Sequence, residues 1–367
     1  MLNNILLISF YVIVTIQLSY YLGIFSFFTR AKPVIKKNNN KPVSVIICAK
    51  NEENNLKNLI PKLVEQVYPT FEIVLINDNA TDNTLEIIKK FAKVYPNIKV
   101  VDVKENEQFW GNKKYALTLG IKVASYENLL FTDADCQPNS VNWIASMNNQ
   151  FSDNKQIILG YGAYKKGSSL LNKLIRYETL LTAIQYFGFA KIGLPYMGVG
   201  RNLAYTKSLF FKANGFVNHI KIKSGDDDLF VNQVANKKNT AICFNPDSFT
   251  TSIPKTNYKD WIYQKRRHIT TAKYYKPLHK FLLGLFYTSQ LLFWILTVIL
   301  VITTLKPAIV ILLIGVRILI FYLILNAAAK KLQEKDLVFF GLFFEILLIL
   351  MQLRIFIGNK FSKLTHW

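Results

Sequence analysis

The chain predicts a mixed α/β domain with a mostly parallel sheet, held between one N-terminal and about three C-terminal transmembrane helices. Three observations carry this expectation. Short β-branched runs alternate with segments of helical period. Four apolar runs approach the roughly 20 residues that a helix needs to cross a bilayer. Lysines and arginines gather beside those runs. Composition agrees: 45 Lys+Arg against 23 Asp+Glu give a net charge of +22, yet 51% of residues are hydrophobic and 14% aromatic. A soluble nucleic-acid binder could be as basic, but it has no use for such runs, and no recognition motif for nucleic acid is visible.

The elements follow in order. Val43 to Cys48 (VSVIIC) is a run rich in β-branched residues, as expected for a strand buried on both faces. Glu52 to Val67 repeats apolar residues at helical spacing until Pro69 stops it. Phe71 to Ile76 reads as a second strand, Asp82 to Tyr95 as a helix, and Ile98 to Val103 as a third strand. Lys113 to Ser125 reads as a helix and Asn128 to Thr132 as a fourth strand. Strands joined this way pair in parallel, and their C-terminal ends form the edge where ligands bind. Gly167 to Gly193 has helical period and fits either an interfacial amphipathic helix or a core helix.

Leu2 to Phe28 is uncharged and reads as an anchor rather than a signal peptide, lacking a basic start and a small-residue cleavage site. Further spans are expected at about Phe281 to Leu305, Ala308 to Leu325 and Leu337 to Ile357. Arg30, Lys32, Lys36, Lys37 and Lys41 follow the first span, and Lys265, Arg266, Arg267, Lys273, Lys276 and Lys280 precede the second. Positive flanks put the long polar middle in the cytoplasm, and Lys330, Lys331 and Lys335 fall on the same side. The expected division is an anchor over 1–30, a basic linker over 31–41, a cytoplasmic domain over 42–276, membrane helices over 277–358 and a tail over 359–367. Within the spans, Arg317 and Glu345 are expected to pair, because either charge alone is costly in lipid. The three cysteines and four histidines have no disulfide or zinc spacing.

Asp133-Ala134-Asp135 follows the run Leu129-Leu130-Phe131. A D-x-D at a strand end is either a solvated turn or a site where two carboxylates hold a hard divalent ion, with positions left for phosphates. Other polar clusters stand at Asn77-Asp78, Gly111 to Lys114, Gly198 to Asn202, Gly225 to Asp228 and Gln264 to His268.

With those blocks in place, the stretch from Val43 to His268 resembles the family 2 glycosyltransferases, which carry a GT-A nucleotide-sugar-binding fold between membrane helices. The resemblance places Ala49 and Glu52 at the nucleoside pocket. It places Asp78 at the base edge, beside Asn77, which stands where the family usually has aspartate. Lys113 or Lys114 falls near the phosphates, and Asp133 and Asp135 hold Mg²⁺ or Mn²⁺. Asn202 lies in a segment that approaches the donor sugar. Gln264 and Arg267 fall in a Q-x-x-R-H sequence, with His268 where tryptophan is usual, and Arg267 meets the diphosphate. The G-D-D-D segment implies a catalytic base, Asp227 in one register and Asp226 in another, with Asp227 preferred; the third aspartate can serve as a helix cap.

The function implied is an inverting, metal-dependent transfer from a UDP- or GDP-linked sugar to a lipid or lipid-linked acceptor, at a bacterial inner membrane. The alternatives are a processive polysaccharide synthase and an inactive membrane-tethered binding or scaffold protein, the latter resting on Asn77 and His268.

Overall fold

The computed structural model describes residues 2–33, 39–104, 113–222, 224–303 and 306–361. Lys36 and Lys37 of the linker, Gly111 and Asn112 of the lysine motif, and the tail beyond 361 lie outside the described residues.

Strands β1 (Val43–Ala49), β2 (Phe71–Asp78), β3 (Ile98–Val103) and β4 (Asn128–Phe131) form the parallel half of a seven-stranded sheet, in the order β3-β2-β1-β4. The remainder is built from β5 (Cys136–Pro138), β6 (Ile157–Leu159), β7 (Gly162–Tyr164), β8 (Leu203–Thr206), β9 (Thr240–Ile242) and β10 (Thr250–Ser252). β8 pairs antiparallel with β4, and β6 and β9 extend the sheet beyond it. A small second sheet has the order β5-β10-β7. Winding runs outward from β1 to β3, then returns to place β4 on the other side of β1. This reversal opens a crevice at the carboxyl ends of β1 and β4.

Three helices precede α4: α1 (Leu2–Tyr20), α2 (Ser26–Arg30) and α3 (Glu53–Val64). α1 and α2 continue through one π-helical turn, Tyr21–Phe25. α4 (Thr84–Val94), α5 (Lys113–Val123), α6 (Trp143–Asn148), α7 (Leu170–Lys191), α8 (Lys207–Lys212), α9 (Asp228–Val234) and α10 (Tyr258–Ala272) belong to the middle of the chain. α11 (Pro277–Thr303), α12 (Pro307–Lys331) and α13 (Gly341–Phe361) complete it. The expected helix to Val67 stops at Val64, because the Val67 N–H bonds to the Val141 carbonyl at 2.8 Å instead of continuing the turn.

Two apolar layers sandwich the sheet. On one face Leu56, Leu59 and Leu63 of α3 and Trp143 and Met147 of α6 pack against Val45, Ile47 and Leu75. On the other, Ala116 and Ile121 of α5 begin a core that runs through Tyr177, Leu180 and Phe187 of α7 to Phe25, Phe28, Phe321 and Phe344 of the apolar helices. α7 is therefore a core helix and not an interfacial one. It packs against α2, β7 and β9 on one side and α12 and α13 on the other. Ser169 caps its start by accepting the Asn172 N–H at 3.1 Å.

Four helices, spanning Asn3–Arg30, Pro277–Thr303, Pro307–Lys331 and Lys335–Asn359, are long and apolar enough to cross a membrane. The fold is thus a mostly parallel α/β domain joined to one N-terminal and three C-terminal membrane helices. Arg176 on α7 is buried and ion-paired with Glu334 and with Asp336, at 2.7 Å to the latter, in the turn between α12 and α13. That pairing fixes the domain to the bundle.

Candidate active site

The crevice at the ends of β1, β2 and β4 collects the charged side chains. Asp78 ends β2, Lys113 begins α5, and Asp133 and Asp135 follow β4. Lys113 Nζ lies 2.8 Å from Asp133 Oδ1 and 3.1 Å from Asp226 Oδ2, bridging the strand edge to the acidic loop. Burial alone would raise Asp133, but the Lys113 ammonium overrides it and holds the carboxyl below its ordinary value. Desolvation raises Asp78 and Glu52, Asp78 against the opposing pull of Lys50 and Lys113.

The carboxylates of Asp133 and Asp135 and the Cys136 thiol come within 4.8 Å of one another. Desolvation, then the Asp133 charge, raises Asp135. Cys136 is pushed well above the usual thiol range by burial and donates to Asp135 Oδ1 at 3.4 Å. Two adjacent carboxylates with a protonated thiol beside them fit a hard, oxygen-seeking divalent ion and not a soft one.

The three consecutive aspartates do three different things. Gly225 has φ +91°, which an L side chain rarely adopts, and turns the chain into the cleft. Asp227 caps α9: its Oδ1 accepts the Asp228 N–H at 2.7 Å, and its Oδ2 accepts the Gly200 N–H at 2.6 Å. Burial, then the Asp226 and Asp228 carboxylates, push it up to about 8. Asp228 accepts from Tyr275 Oη at 2.7 Å and from Thr271 Oγ1, tying the loop to the end of α10. Asp226 alone has no backbone N–H on its carboxylate among the described hydrogen bonds, and it faces Lys113 across the cleft. The resemblance prefers Asp227 to Asp226 as the base; in the structure Asp227 is the cap of α9 and Asp226 is the one that meets Lys113.

Other expected positions separate as clearly. Lys113 and Lys114 are neighbours on α5, yet only Lys113 faces the cleft. Lys114 is fully buried, and its ammonium donates to the carbonyls of His219, Ile222 and Ser224 at 2.8, 2.9 and 2.8 Å. It holds the loop that delivers Asp226, and of the two lysines expected near the phosphates only Lys113 lines the cleft. Asn202 is also fully buried: Nδ2 donates to Tyr161 O at 2.9 Å and Ser248 O at 2.6 Å, and Oδ1 accepts from Trp143 Nε1 at 3.1 Å. It is a joint between strands and does not line the cleft. Asn77 is buried and donates to Asp102 Oδ1 at 2.8 Å, and Ala49 is buried between Cys48 and Lys50, which do line the cleft. Glu52, Asp78, Lys113, Asp133, Asp135, Asp226, Asp227, Gln264 and Arg267 share that one cleft.

The cavity, about 1830 Å³, does not end at the sheet. It passes Glu178, Thr182 and Gln185 on α7 and Gln264, Arg267 and His268 on α10, then reaches Gly284 and Tyr287 on α11 and Gln352 and Phe356 on α13. Lys265 pairs with Glu178 across it, and Arg266 bonds Asn359 Oδ1 at 2.7 Å. Desolvation, then the cations Lys265, Arg267 and Arg201, push His268 down to about 3, so it contributes no charge at neutral pH. The α7 wall and Arg201 were not anticipated from sequence. Residues of α7 reach the cleft only through packing, and Arg201 stands in the segment read for its neighbour Asn202.

Residues 44–211 match the model of glycosyl transferase family 2, and residues 132–325, more than half of the chain, that of glycosyl transferase family group 2. The fold is that of a solved mannosyltransferase, PcManGT of Pyrobaculum calidifontis, whose structure holds GDP-Man and Mn²⁺; the TM-score is 0.60 at 17% identity, over 94% of this chain and 99% of that one. Fold and family together define a GT-A glycosyltransferase with helices suited to a membrane. The chain belongs to the family 2 glycosyltransferases. A poly-β-1,6-N-acetyl-D-glucosamine synthase of Staphylococcus epidermidis is 35% identical over 120 residues, 31% of this chain and 28% of that protein. The Staphylococcus aureus (strain MSSA476) synthase of the same name is 29% identical over 173 residues, 44% of this chain and 41% of that one. The chain thus matches less than half the length of these relatives.

Proposed function

We propose that this glycosyltransferase moves a sugar from a nucleoside-diphosphate sugar to a hydroxyl of a lipid or lipid-linked acceptor, with inversion, at the cytoplasmic face of a membrane. The observation that carries this reading is the single cleft running from the carboxylates at the strand ends to the faces of α11 and α13. A donor at the strand ends and an acceptor held by membrane helices meet there, at Asp226.

In this reading Asp78 and Glu52 face the nucleoside, and Lys113 and Arg267 offset the diphosphate charge. Asp133 and Asp135 hold Mg²⁺ or Mn²⁺, which when bound stabilises the departing diphosphate. The acceptor oxygen forms a bond to the anomeric carbon from the face opposite the diphosphate. The bond from that carbon to the diphosphate oxygen breaks, and its electron pair leaves with the nucleoside diphosphate. Asp226 takes the acceptor proton. Its carboxylate is favoured over Asp227 because both oxygens of Asp227 are occupied by backbone N–H groups, while burial and then its acidic neighbours raise Asp227 to about 8. Asp227 is then a positioning residue, and the chain from 42 to 276 is the catalytic domain between the anchor 1–30 and the helices 277–358.

The second reading is a processive polysaccharide synthase, supported by the partial similarity to the staphylococcal synthases. Both readings are tested by incubating native membranes containing the protein with Mg²⁺ or Mn²⁺ and a panel of radiolabelled nucleotide sugars, with Asp226→Asn and Asp135→Asn as controls. Metal-dependent label in a small organic-soluble lipid, lost in both variants, is the expected result. Label confined to high-mass aqueous material transfers the case to the polymer synthase, and no transfer or donor hydrolysis from any donor leaves a binding or scaffold role.

A further inference from the structure

Arg201, half-buried, differs from the fully buried arginines. Arg176 is ion-paired with Glu334 and Asp336, and Arg317 with Glu345. Arg201 has no carboxylate partner within ion-pair distance among the described residues, although it lines the same cleft as Asp133 and Asp135. Its guanidinium is held by neutral groups instead. Nη1 donates to Ala163 O at 3.1 Å and to Ser252 Oγ at 3.2 Å, and Cζ lies over the Tyr164 ring, 4.2 Å from its centroid.

The backbone beneath is fixed as well. The Arg201 carbonyl accepts from Thr132 Oγ1 at 3.0 Å and Thr250 Oγ1 at 2.8 Å, so both sheets grip it. Gly162 leaves the room the side chain needs: a Cβ there would stand 2.9 Å from Arg201 Cβ and 3.3 Å from Nε. Among the described residues Nε and Nη2 make no hydrogen bond, and together they form the edge of a guanidinium that grips an oxyanion in bidentate fashion. Of the other cations that line the cleft, Lys113 is shared between Asp133 and Asp226 and Lys265 is paired with Glu178, while Arg267 stands on α10 at the other wall. A rigid cation with neutral supports and an open edge in a cleft is built for an anion supplied by ligand.

We infer that Arg201, lying over the Tyr164 ring and seated against Gly162, is a preformed binding group for a phosphoryl group of a substrate. This rests on the transferase reading above. The phosphoryl group belongs either to the diphosphate of the donor or to a phosphate on the acceptor, and affinity measurements separate the two.

The full chain in nanodiscs of phosphatidylethanolamine and phosphatidylglycerol is titrated, with Mn²⁺ present, with UDP, GDP, UMP and GMP, and separately with a polyprenyl phosphate. If the donor is the source, Arg201→Gln weakens the nucleoside diphosphate that binds by roughly tenfold to a hundredfold and leaves its monophosphate within about twofold. If the acceptor is the source, both nucleotides are unchanged and the polyprenyl phosphate weakens by the same factor. Gly162→Ala keeps the charge but displaces the guanidinium, so it reproduces part of the loss, while Arg201→Lys recovers part of it. These two variants carry the test if Arg201→Gln does not fold. Affinities for the nucleoside diphosphate and the polyprenyl phosphate that all stay within about threefold of wild type, in variants with unchanged melting temperature, overturn the assignment. A wild-type protein that binds no nucleotide at all overturns the transferase reading itself, and this assignment with it.

Discussion

Arg317 Nη1 donates to Glu345 Oε2 at 2.8 Å, and Nη2 of the same guanidinium reaches Oε1, joining α12 to α13 inside the apolar bundle. The pair draws in the other two membrane helices. Arg317 Nη2 also donates to Gln17 Oε1 at 2.9 Å and Tyr21 Oη at 3.0 Å, and Gln290 Nε2 donates to Glu345 Oε1 at 3.0 Å. Removing one partner strands a charge without water. Arg317→Met or Glu345→Leu is therefore expected to cost about 3–5 kcal/mol, and the double replacement considerably less than either. Thermal unfolding in nanodiscs measures this. A double variant as unstable as the sum of the singles would show that the pair is not an energetic unit.

Asp226→Asn is expected to lower the transfer rate by about 10²- to 10⁴-fold while leaving nucleotide affinity nearly unchanged, since the carboxylate acts on the acceptor proton. Asp227→Asn retains an oxygen for one of the two backbone N–H groups and is expected to lose less activity. Steady-state rates with each variant decide the order. The opposite ranking returns the base to Asp227.

Asp227 also sets a pH dependence of stability. An unfolded aspartate titrates near about 3.9, and in the folded protein burial and then its acidic neighbours push it up to about 8. The folded state therefore holds a proton that the unfolded chain releases. The associated stability is complete below about pH 4 and is lost as pH rises through about 8. Asp227→Asn cannot ionise, so its melting temperature relative to wild type should climb between about pH 5 and pH 9. A difference that stays level or falls over that range removes Asp227 as the titrating group.

Asn202→Ala leaves the Tyr161 and Ser248 carbonyls and the Trp143 indole N–H without their partner. A loss of about 2–4 kcal/mol in stability is expected, with donor KM unchanged in whatever protein remains folded. A raised donor KM at wild-type stability would restore the sugar-contacting role that sequence implied.

Much of the architecture was legible because it is written in local periodicity. The β-branched run at Val43 to Cys48 is the strand covered on both faces that it was expected to be, and Ile98 to Val103 has the bounds read from sequence. Apolar length marked four spans, and the cost of isolated charge in lipid linked Arg317 to Glu345 before either was placed. The shared cleft of Asp78, Asp133, Asp226 and Arg267 was legible only as a joint pattern of spaced motifs.

What the sequence by itself determined, then, is the four parallel strands β1 to β4, the helices between them and the four spans, since each depends on residues a few positions apart; the three- and four-residue strands β5 to β10 are too short to carry a period of their own. Only the tertiary structure decided which of two adjacent lysines meets the cleft, which of three aspartates keeps a carboxylate free of backbone N–H groups among the described residues, that Asn202 is a buried joint, and that α7 is core. Those outcomes are set by groups far away in the chain, such as the Gly200 N–H at Asp227 and the Ser224 carbonyl at Lys114. A buried polar group takes whatever partner the packed fold brings to it, and no local pattern carries that information.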